Sequence, residues 1–337
     1  MLRNWLKIGT IRKQQFLRGR LTALFLALSL LFVLTACSGM ELENKTEQVD
    51  GYSRGQAMIV VANERNRYQN LYGPEIWEAR FGDTDSSFEQ YMIQNVKSFL
   101  EQIRTLTLLS EERGVTVSSQ ERDEIRRLAK QFYTGLSEAD LHYIGCTEED
   151  VQKLYLDYYV ANKTASLLVS GADAELSDSE AKIIDVQQIV TGSLKKAKAL
   201  LKMIKIDGDD FGTLARRYSE SNEIEKTLKR IPDGNTYEKV AFSLDEGQIS
   251  NIVEMDGLYY IIKCTNGYDE EATLERKDSL EAAILDDAFM EVYGPYQKEH
   301  TVRFTESFWS RIDFSEGQDS TVTDFFDLFQ ESFGEAF

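Results

Sequence analysis

The apolar residues of this 337-residue chain change their spacing twice, which divides the chain into three parts. Between residues 86 and 113 they recur every three or four positions, which predicts a long amphipathic helix. Between 181 and 266 short strand-like runs alternate with short helical ones, and after 272 the helical spacing returns until Gly294-Pro295. The pattern therefore predicts an α+β domain inserted between two segments of a mainly helical module. The first helical stripe consists of Phe88, Met92, Val96, Phe99, Ile103, Leu106 and Leu109.

Capping signals predict where the helices before residue 170 begin. Ser118 and Glu121 have the spacing of a capping box, in which each residue binds the other's backbone N–H. Thr147 and Asp150 have the same spacing and predict a helix that continues to Val169. A polar linker should follow over 170–179, because glycine and aspartate interrupt the apolar period there.

The middle segment predicts strands and helices in alternation. Gly257 separates two apolar runs and indicates a hairpin. The run Asp207-Gly208-Asp209-Asp210 lacks the alternating ligands and the distant glutamate of a calcium loop, so we predict a turn without a metal. The expected elements are a strand over 183–190, helices over 194–206, 211–218 and 237–242, and strands over 249–254 and 258–264.

The N-terminus has the three zones of a bacterial export signal. Six lysines and arginines occur before residue 21, and an apolar stretch of 14 residues follows over 21–34. Such a stretch is short for a membrane span, which favours a cleaved leader over 1–36. Leu34-Thr35-Ala36-Cys37 resembles a lipobox, which implies lipidation of Cys37 and a place on the extracytoplasmic face of the bacterial cell membrane. Residues 37–50 would then be a tether.

The charge and the histidine count exclude several functions. Without the six basic residues of the leader, 32 basic residues face 57 acidic ones, a formal charge of −25. Such a surface repels phosphate, so we predict no nucleic-acid partner. Two histidines, His142 and His300, cannot form a three-histidine zinc site and leave few ways to build a Ser-His-Asp triad. We predict neither a metal nor a cofactor.

Two features allow alternative interpretations. Cys146 and Cys264 either form a disulfide, which an extracytoplasmic compartment permits, or are two unreactive buried thiols. The acidic tail, 313–337, places Phe325, Phe329 and Phe333 at helical spacing, and this stripe packs either on a partner or on the chain's own helices.

The middle domain resembles the parvulin-type (PpiC) peptidyl-prolyl isomerases, whose fold is FKBP-like. The surrounding helices resemble those of PrsA- and SurA-like foldases, in which both ends of the chain form one chaperone module. The resemblance rests on Val186 to Val190, Gly208 to Ala215, Tyr218-Ser219, Tyr237 to Leu244, Gly247 to Ser250 and Gly257 to Lys263, in the family's order.

The resemblance implies a site that binds proline in an apolar cup and favours the twisted amide. The family's two histidines fall on Gln188 and Tyr260, and its cysteine or aspartate falls near Ser221. Leu228 and Tyr237 match two residues of the proline pocket, and Phe242 matches a phenylalanine that is mostly core. Because the site residues are substituted, the isomerase activity that the family implies should be weak or absent.

Three functions remain open at this stage. The first is a membrane-anchored foldase for unfolded or partly folded secreted polypeptides. The second is an active prolyl isomerase, and the third is a non-catalytic adaptor lipoprotein that uses its tail. A homodimer is left open. The predicted divisions are a leader (1–36), a tether (37–50), a helical domain (51–178), a parvulin-like domain (179–268), a C-terminal helix and strand (269–312) and a tail (313–337).

Overall fold

A computed structural model describes residues 47–80, 86–304 and 306–334. The chain divides into two compact units. Unit 2 comprises residues 172–287, and unit 1 comprises the described residues on either side of it. The leader, Cys37 and the first part of the tether lie outside the described residues. No helix in the described ranges is both long and apolar enough to cross a membrane.

Unit 1 is built from helices and one pair of parallel strands, β1 with β6. The predicted first long helix is α2, and its stripe is buried from Met92 to Leu109, with Phe88 half-buried. The elements of unit 1 are β1 (Glu47–Asp50), α1 (Arg54–Tyr72), α2 (Phe88–Glu112), α3 (Ser119–Gly135), α4 (Glu138–Ile144) and α5 (Glu148–Val169), then β6 (His300–Arg303), α11 (Glu306–Trp309) and α12 (Phe325–Phe333).

The predicted helix starts are confirmed. Ser118 caps α3 and Thr147 caps α5, each in a capping box with Glu121 and Asp150 respectively. In such a box the side chain of the capping residue accepts from the backbone of the third residue, whose own side chain accepts from the cap.

Helix α1 is the central helix of unit 1, and its sequence period does not reveal this. Every residue from Gly55 to Asn66 is buried, including polar ones. Asn63 Oδ1 accepts from the Phe325 backbone N–H at 3.0 Å, and Arg65 Nε donates to the Phe314 carbonyl at 3.0 Å. The polar side of α1 therefore binds the C-terminal segment, which we define as residues 313–334.

The C-terminal segment packs on the chain's own helices, which decides between the two interpretations of its phenylalanine stripe. Phe325 stacks on Tyr155 with ring centroids 4.1 Å apart, and Phe329 lies 4.6 Å from Tyr158. Asp140 accepts from the backbone N–H groups of Thr321 and Val322. The segment is thus part of the core of unit 1.

Unit 2 contains a four-stranded antiparallel sheet with the strand order β3-β2-β5-β4. Asp256 and Gly257, with φ of 54° and 76°, form the turn of the predicted hairpin. The elements are α6 (Asp178–Ala181), β2 (Ile183–Thr191), α7 (Leu194–Lys202), α8 (Phe211–Tyr218), β3 (Glu225–Lys229), α9 (Thr236–Ala241), β4 (Val253–Met255), β5 (Leu258–Asn266) and α10 (Glu270–Glu299), inside which the boundary at 287 falls.

The structure corrects four expectations. Strand β3 was not predicted, because four of its five residues are polar. The run from 249 to 254 is strand only from Val253 onward. The α-helix α7 ends at Lys202, and a π-type turn over Met203–Asp207 follows it. Helix α10 continues through Pro295 to Glu299. The proline removes one backbone hydrogen bond of the helix, and this loss is tolerated near the end of the helix, where only four residues follow.

Cys146 and Cys264 are free and buried, and they belong to different units. The disulfide interpretation is therefore wrong, and the interpretation as small buried thiols is confirmed. Burial raises the pKa of the Cys146 thiol to about 11 and also raises the pKa of the Cys264 thiol. Both are protonated at neutral pH, which makes them poor nucleophiles.

Candidate functional site

The sheet of unit 2 buries both of its faces, and the two faces have different coverings. Alternate residues of a strand point to opposite faces, so β2 contributes to both. One face packs on helices α7 and α8 through Ile189 and Ile261. The other face packs on α9 through a second apolar cluster, formed by Ile184, Val186, Leu228, Tyr237, Ala241, Val253 and Ile262.

The second face gathers the residues that sequence analysis assigned to the proline pocket. Leu228 and Tyr237 are buried in the cluster, and Phe242 and Tyr260 pack against it half-buried. The rings of Tyr237 and Tyr260 meet edge to face, 5.3 Å apart between centroids. We call these four residues the cup.

Gln188 lies on the same face of β2 but is held away from Tyr260. Gln188 pairs with Ile262 across the sheet, while Tyr260 pairs with Val190, so the two positions are diagonal neighbours. The side chain of Gln188 is 3% exposed, and its Nε2 donates to the backbone carbonyl of Glu223 at 2.6 Å. The glutamine therefore anchors the loop before β3.

Ser221 lies in the loop before β3 and is not one of the residues of the apolar cluster. Its hydroxyl accepts from the Glu223 backbone N–H at 3.2 Å, and its own N–H donates to the Ser219 hydroxyl at 3.3 Å. These short-range bonds are typical of a serine that stabilises a turn.

The four residues of the cup are uncharged, and two basic residues, Lys226 and Arg230, lie at its rim. Lys226 Nζ lies 5.9 Å from the centroid of the Tyr237 ring, and Arg230 Cζ lies 4.9 Å from that of Phe242. Both distances are within the range of cation–π attraction. Lys226 also pairs with Glu223 at 3.2 Å. Burial, with a smaller contribution from Glu223, raises the pKa of Tyr237 well above its ordinary value.

Two polar groups at the cup have no acceptor among the described residues. The Tyr237 hydroxyl and the Arg230 Nε are both buried without a hydrogen-bond partner there. A buried donor without an acceptor costs about 1–3 kcal/mol relative to a satisfied one.

The chemistry available at the cup is that of a binding surface. Both histidines of the chain, His142 and His300, belong to unit 1. Among the described residues no group of three or more His, Cys, Asp or Glu is placed to hold a metal ion. Rotation about an X–Pro bond needs neither a nucleophile nor a metal, so the apolar residues of the cup are the relevant groups.

The cationic rim was missed at the sequence level, although a signal was present. Lys226 and Leu228 of β3, and Arg230, whose backbone N–H donates to the Lys182 carbonyl just beyond the strand, alternate with residues of the opposite face, as in a half-buried strand. The charges obscured that alternation, since lysine and arginine are usually read as solvent-facing.

Comparison with known proteins identifies the middle segment. Residues 188–266 match the family model described as Rotamase: PPIC-type PPIASE domain. The foldase protein PrsA of Caldanaerobacter subterraneus subsp. tengcongensis is 26% identical over 296 residues, covering 80% of this chain and 89% of that protein. The match to foldase protein PrsA 3 of Bacillus anthracis is 27% identical over 165 residues and spans only 58% of that protein. A crystal structure of the peptidylprolyl isomerase PrsA from Bacillus cereus is similar with a TM-score of 0.29 at 17% identity, over 75% of this chain and 99% of that one.

Proposed function

We propose that the protein is an extracytoplasmic foldase, anchored to the membrane through Cys37, that assists the folding of exported polypeptides. The match of residues 188–266 to the PPIC-type rotamase domain and the similarity to PrsA foldases support this proposal. The cup of the protein binds apolar or prolyl side chains of unfolded clients, and its catalysis of X–Pro rotation is weak or absent.

The observation that carries the proposal is that the residues matched to the proline pocket lie together, while the positions matched to the family's histidines hold other residues. Leu228 and Tyr237 are buried in one apolar cluster beside the half-buried Phe242 and Tyr260, against which a prolyl ring would pack. The positions matched to the family's histidines hold a glutamine that is committed to the Glu223 carbonyl and a tyrosine that packs on Tyr237. Binding is therefore supported more strongly than turnover.

The decisive experiment separates holding from catalysis. The chain from residue 38 onward is tested at equimolar ratio for suppression of aggregation of several unrelated unfolded proteins. In parallel, NMR exchange spectroscopy on an Ala-Pro peptide tests whether a substoichiometric amount raises the exchange rate. We expect suppression of aggregation, together with an exchange rate close to the uncatalysed one, whose half-time is on the order of tens of seconds.

Two matched variants assign the activity to the cup. Leu228→Ala removes apolar area from the cup, whereas Leu214→Ala removes the same atoms from helix α8, which covers the opposite face of the sheet. If holding involves the cup, only the first variant should weaken suppression beyond its effect on stability. Rapid exchange at catalytic amounts that Leu228→Ala abolishes would show an active isomerase, the second candidate function. Failure to suppress the aggregation of any client would contradict the foldase.

The anchor is tested separately. We expect mass spectrometry of the mature protein to show a diacylated N-terminal cysteine, and Cys37→Ser to release the protein from the membrane fraction. Retention of that variant in the membrane by the same amount would contradict lipid anchoring.

A further inference from the structure

Edge strand β3 has one lysine on each side of the sheet, and the one on the cup side is Lys226. In the register with β2, Lys226 lies opposite Val186 and Leu228 opposite Ile184, both members of the cup-side cluster. Lys229 lies one residue beyond Leu228 and is exposed on the other side. Lys226 and Arg230, which follows the end of β3, therefore lie over the rings of Tyr237 and Phe242 in a strongly acidic chain.

Two glutamates, Glu223 and Glu238, are candidate partners for these cations, and neither forms a strong ion pair with Lys226. Glu223 pairs with Lys226, but its side chain is 62% exposed, and such pairs contribute little. Glu238 of α9 is committed to the cap of its own helix, where it accepts from the Asn235 N–H at 2.8 Å.

Arg230 is the cation with the most unused donors. Its Nη1 lies 3.4 Å from the Ser179 hydroxyl, which is a long contact, and its Nε has no acceptor among the described residues. A guanidinium offers five donors in a planar fork that fits a carboxylate with two parallel hydrogen bonds. The half-buried Arg230 is therefore the side chain at this end of the cup that fits the carboxylate of an aspartate or glutamate.

We propose that the cup selects client segments in which an acidic side chain lies next to the buried apolar or prolyl residue. This selectivity rests on the proposed function, since it specifies which clients the same cup binds. Lys226 and Arg230 act as specificity-determining residues: they stack on Tyr237 and Phe242 in the free protein, and they engage the carboxylate of the bound segment.

The test measures dissociation constants of the full chain, in a mild detergent at low salt, for three end-blocked fluorescent peptides: Ala-Glu-Pro-Phe, Ala-Gln-Pro-Phe and Ala-Lys-Pro-Phe. We expect the glutamate peptide to bind about fivefold more tightly than the glutamine peptide, and the lysine peptide to bind most weakly. Raising the salt concentration to about 0.5 M should reduce the difference, since the Debye length shortens.

Charge-matched variants locate the effect. Arg230→Gln and Lys226→Gln should each reduce the glutamate-over-glutamine preference about threefold, while Lys229→Gln removes the same charge and should leave it unchanged. Arg230→Lys keeps the charge and should keep part of the preference. It also shows whether a loss in Arg230→Gln comes from charge or from disturbed packing, with circular dichroism as the check of folding.

The outcomes distinguish this proposal from the foldase itself. Equal binding of the glutamate and glutamine peptides, or an equal effect of Lys229→Gln, would overturn the selectivity and leave the foldase standing if aggregation is still suppressed. No binding of any peptide would overturn the selectivity as well, and the aggregation assay would then decide whether the chain holds clients by another surface.

Discussion

The C-terminal segment in unit 1 and the cup in unit 2 both bury aromatic rings, and both units leave buried polar atoms without a partner among the described residues, such as Arg65 Nη2 and the Tyr158 hydroxyl in unit 1. The two regions differ in the long-range hydrogen bonds that hold the C-terminal segment. Asn63, Asn66 and Asp140 bind backbone groups of residues about 180 to 260 positions away. At the cup, the Tyr237 hydroxyl and the Arg230 Nε have no acceptor in the described part of the chain. Removing one partner of a buried hydrogen bond is costly, whereas a buried donor without an acceptor can be removed at little cost. The two regions should therefore respond differently to substitution.

The largest effect is expected for Phe325→Ala. Phe325 is 1% exposed and stacks on Tyr155, whose hydroxyl donates to the Phe325 carbonyl at 2.9 Å. Truncating a buried phenylalanine costs about 3–5 kcal/mol through lost transfer energy and a cavity. Urea unfolding should show this loss in the free energy of unfolding of unit 1.

Phe333→Ala in the same helix is the matched control. Phe333 is half-buried at the end of α12, so its truncation should cost clearly less. If the two variants lose equal stability, the C-terminal segment is not a core element, and the contrast between the two regions fails.

The next effect is expected for Asp140→Asn. One oxygen of the Asp140 carboxylate accepts from the Ser320 hydroxyl and the Thr321 N–H, each at 2.8 Å, and the other accepts from the Ser137 hydroxyl at 2.6 Å. An amide cannot accept at both ends, so one donor set is left unsatisfied. We expect a loss of about 2–3 kcal/mol at neutral pH, measured by urea unfolding.

The pH dependence of that loss identifies the charge as the cause. Burial raises the pKa of Asp140, but the hydrogen bonds from Ser137, Ser320 and Thr321 outweigh it and hold the pKa below its ordinary value. The folded-state pKa lies below the unfolded one, so the stabilisation is present above about pH 4 and is lost as pH falls through the folded-state pKa. The difference between the two proteins should shrink below about pH 4. A difference that stays constant down to pH 2 would contradict this explanation.

The same contrast explains which parts of the structure sequence analysis could predict. Local signals sufficed for α2, α3 and α5, because an apolar stripe and a capping box lie within each segment. The burial of polar side chains on α1 could not be predicted, because their partners lie in the C-terminal segment and no local period encodes them.

At the candidate site, sequence order was enough for the family resemblance and for the cup residues Leu228 and Tyr237, which the structure brings together. The rim was not predicted, because the placement of Lys226 and Arg230 depends on the pairing of β3 with β2. Pairing register is set by tertiary packing, and a one-residue shift would move both cations to the other face.

The smallest effect, and the most direct test of the contrast, is expected for Tyr237→Phe. If the buried hydroxyl has no acceptor, its removal should leave the free energy of unfolding of unit 2 unchanged or raise it by up to about 1 kcal/mol, because no hydrogen bond is lost and a desolvation cost disappears. Tyr260→Phe, at a half-buried ring on the same face, is the control and should be neutral. A loss of more than about 1 kcal/mol for Tyr237→Phe alone would show that the hydroxyl is satisfied in the free protein. The cup would then be held by its own hydrogen bonds, as the C-terminal segment is, and the Arg230 Nε would be the remaining buried donor without an acceptor at the cup among the described residues.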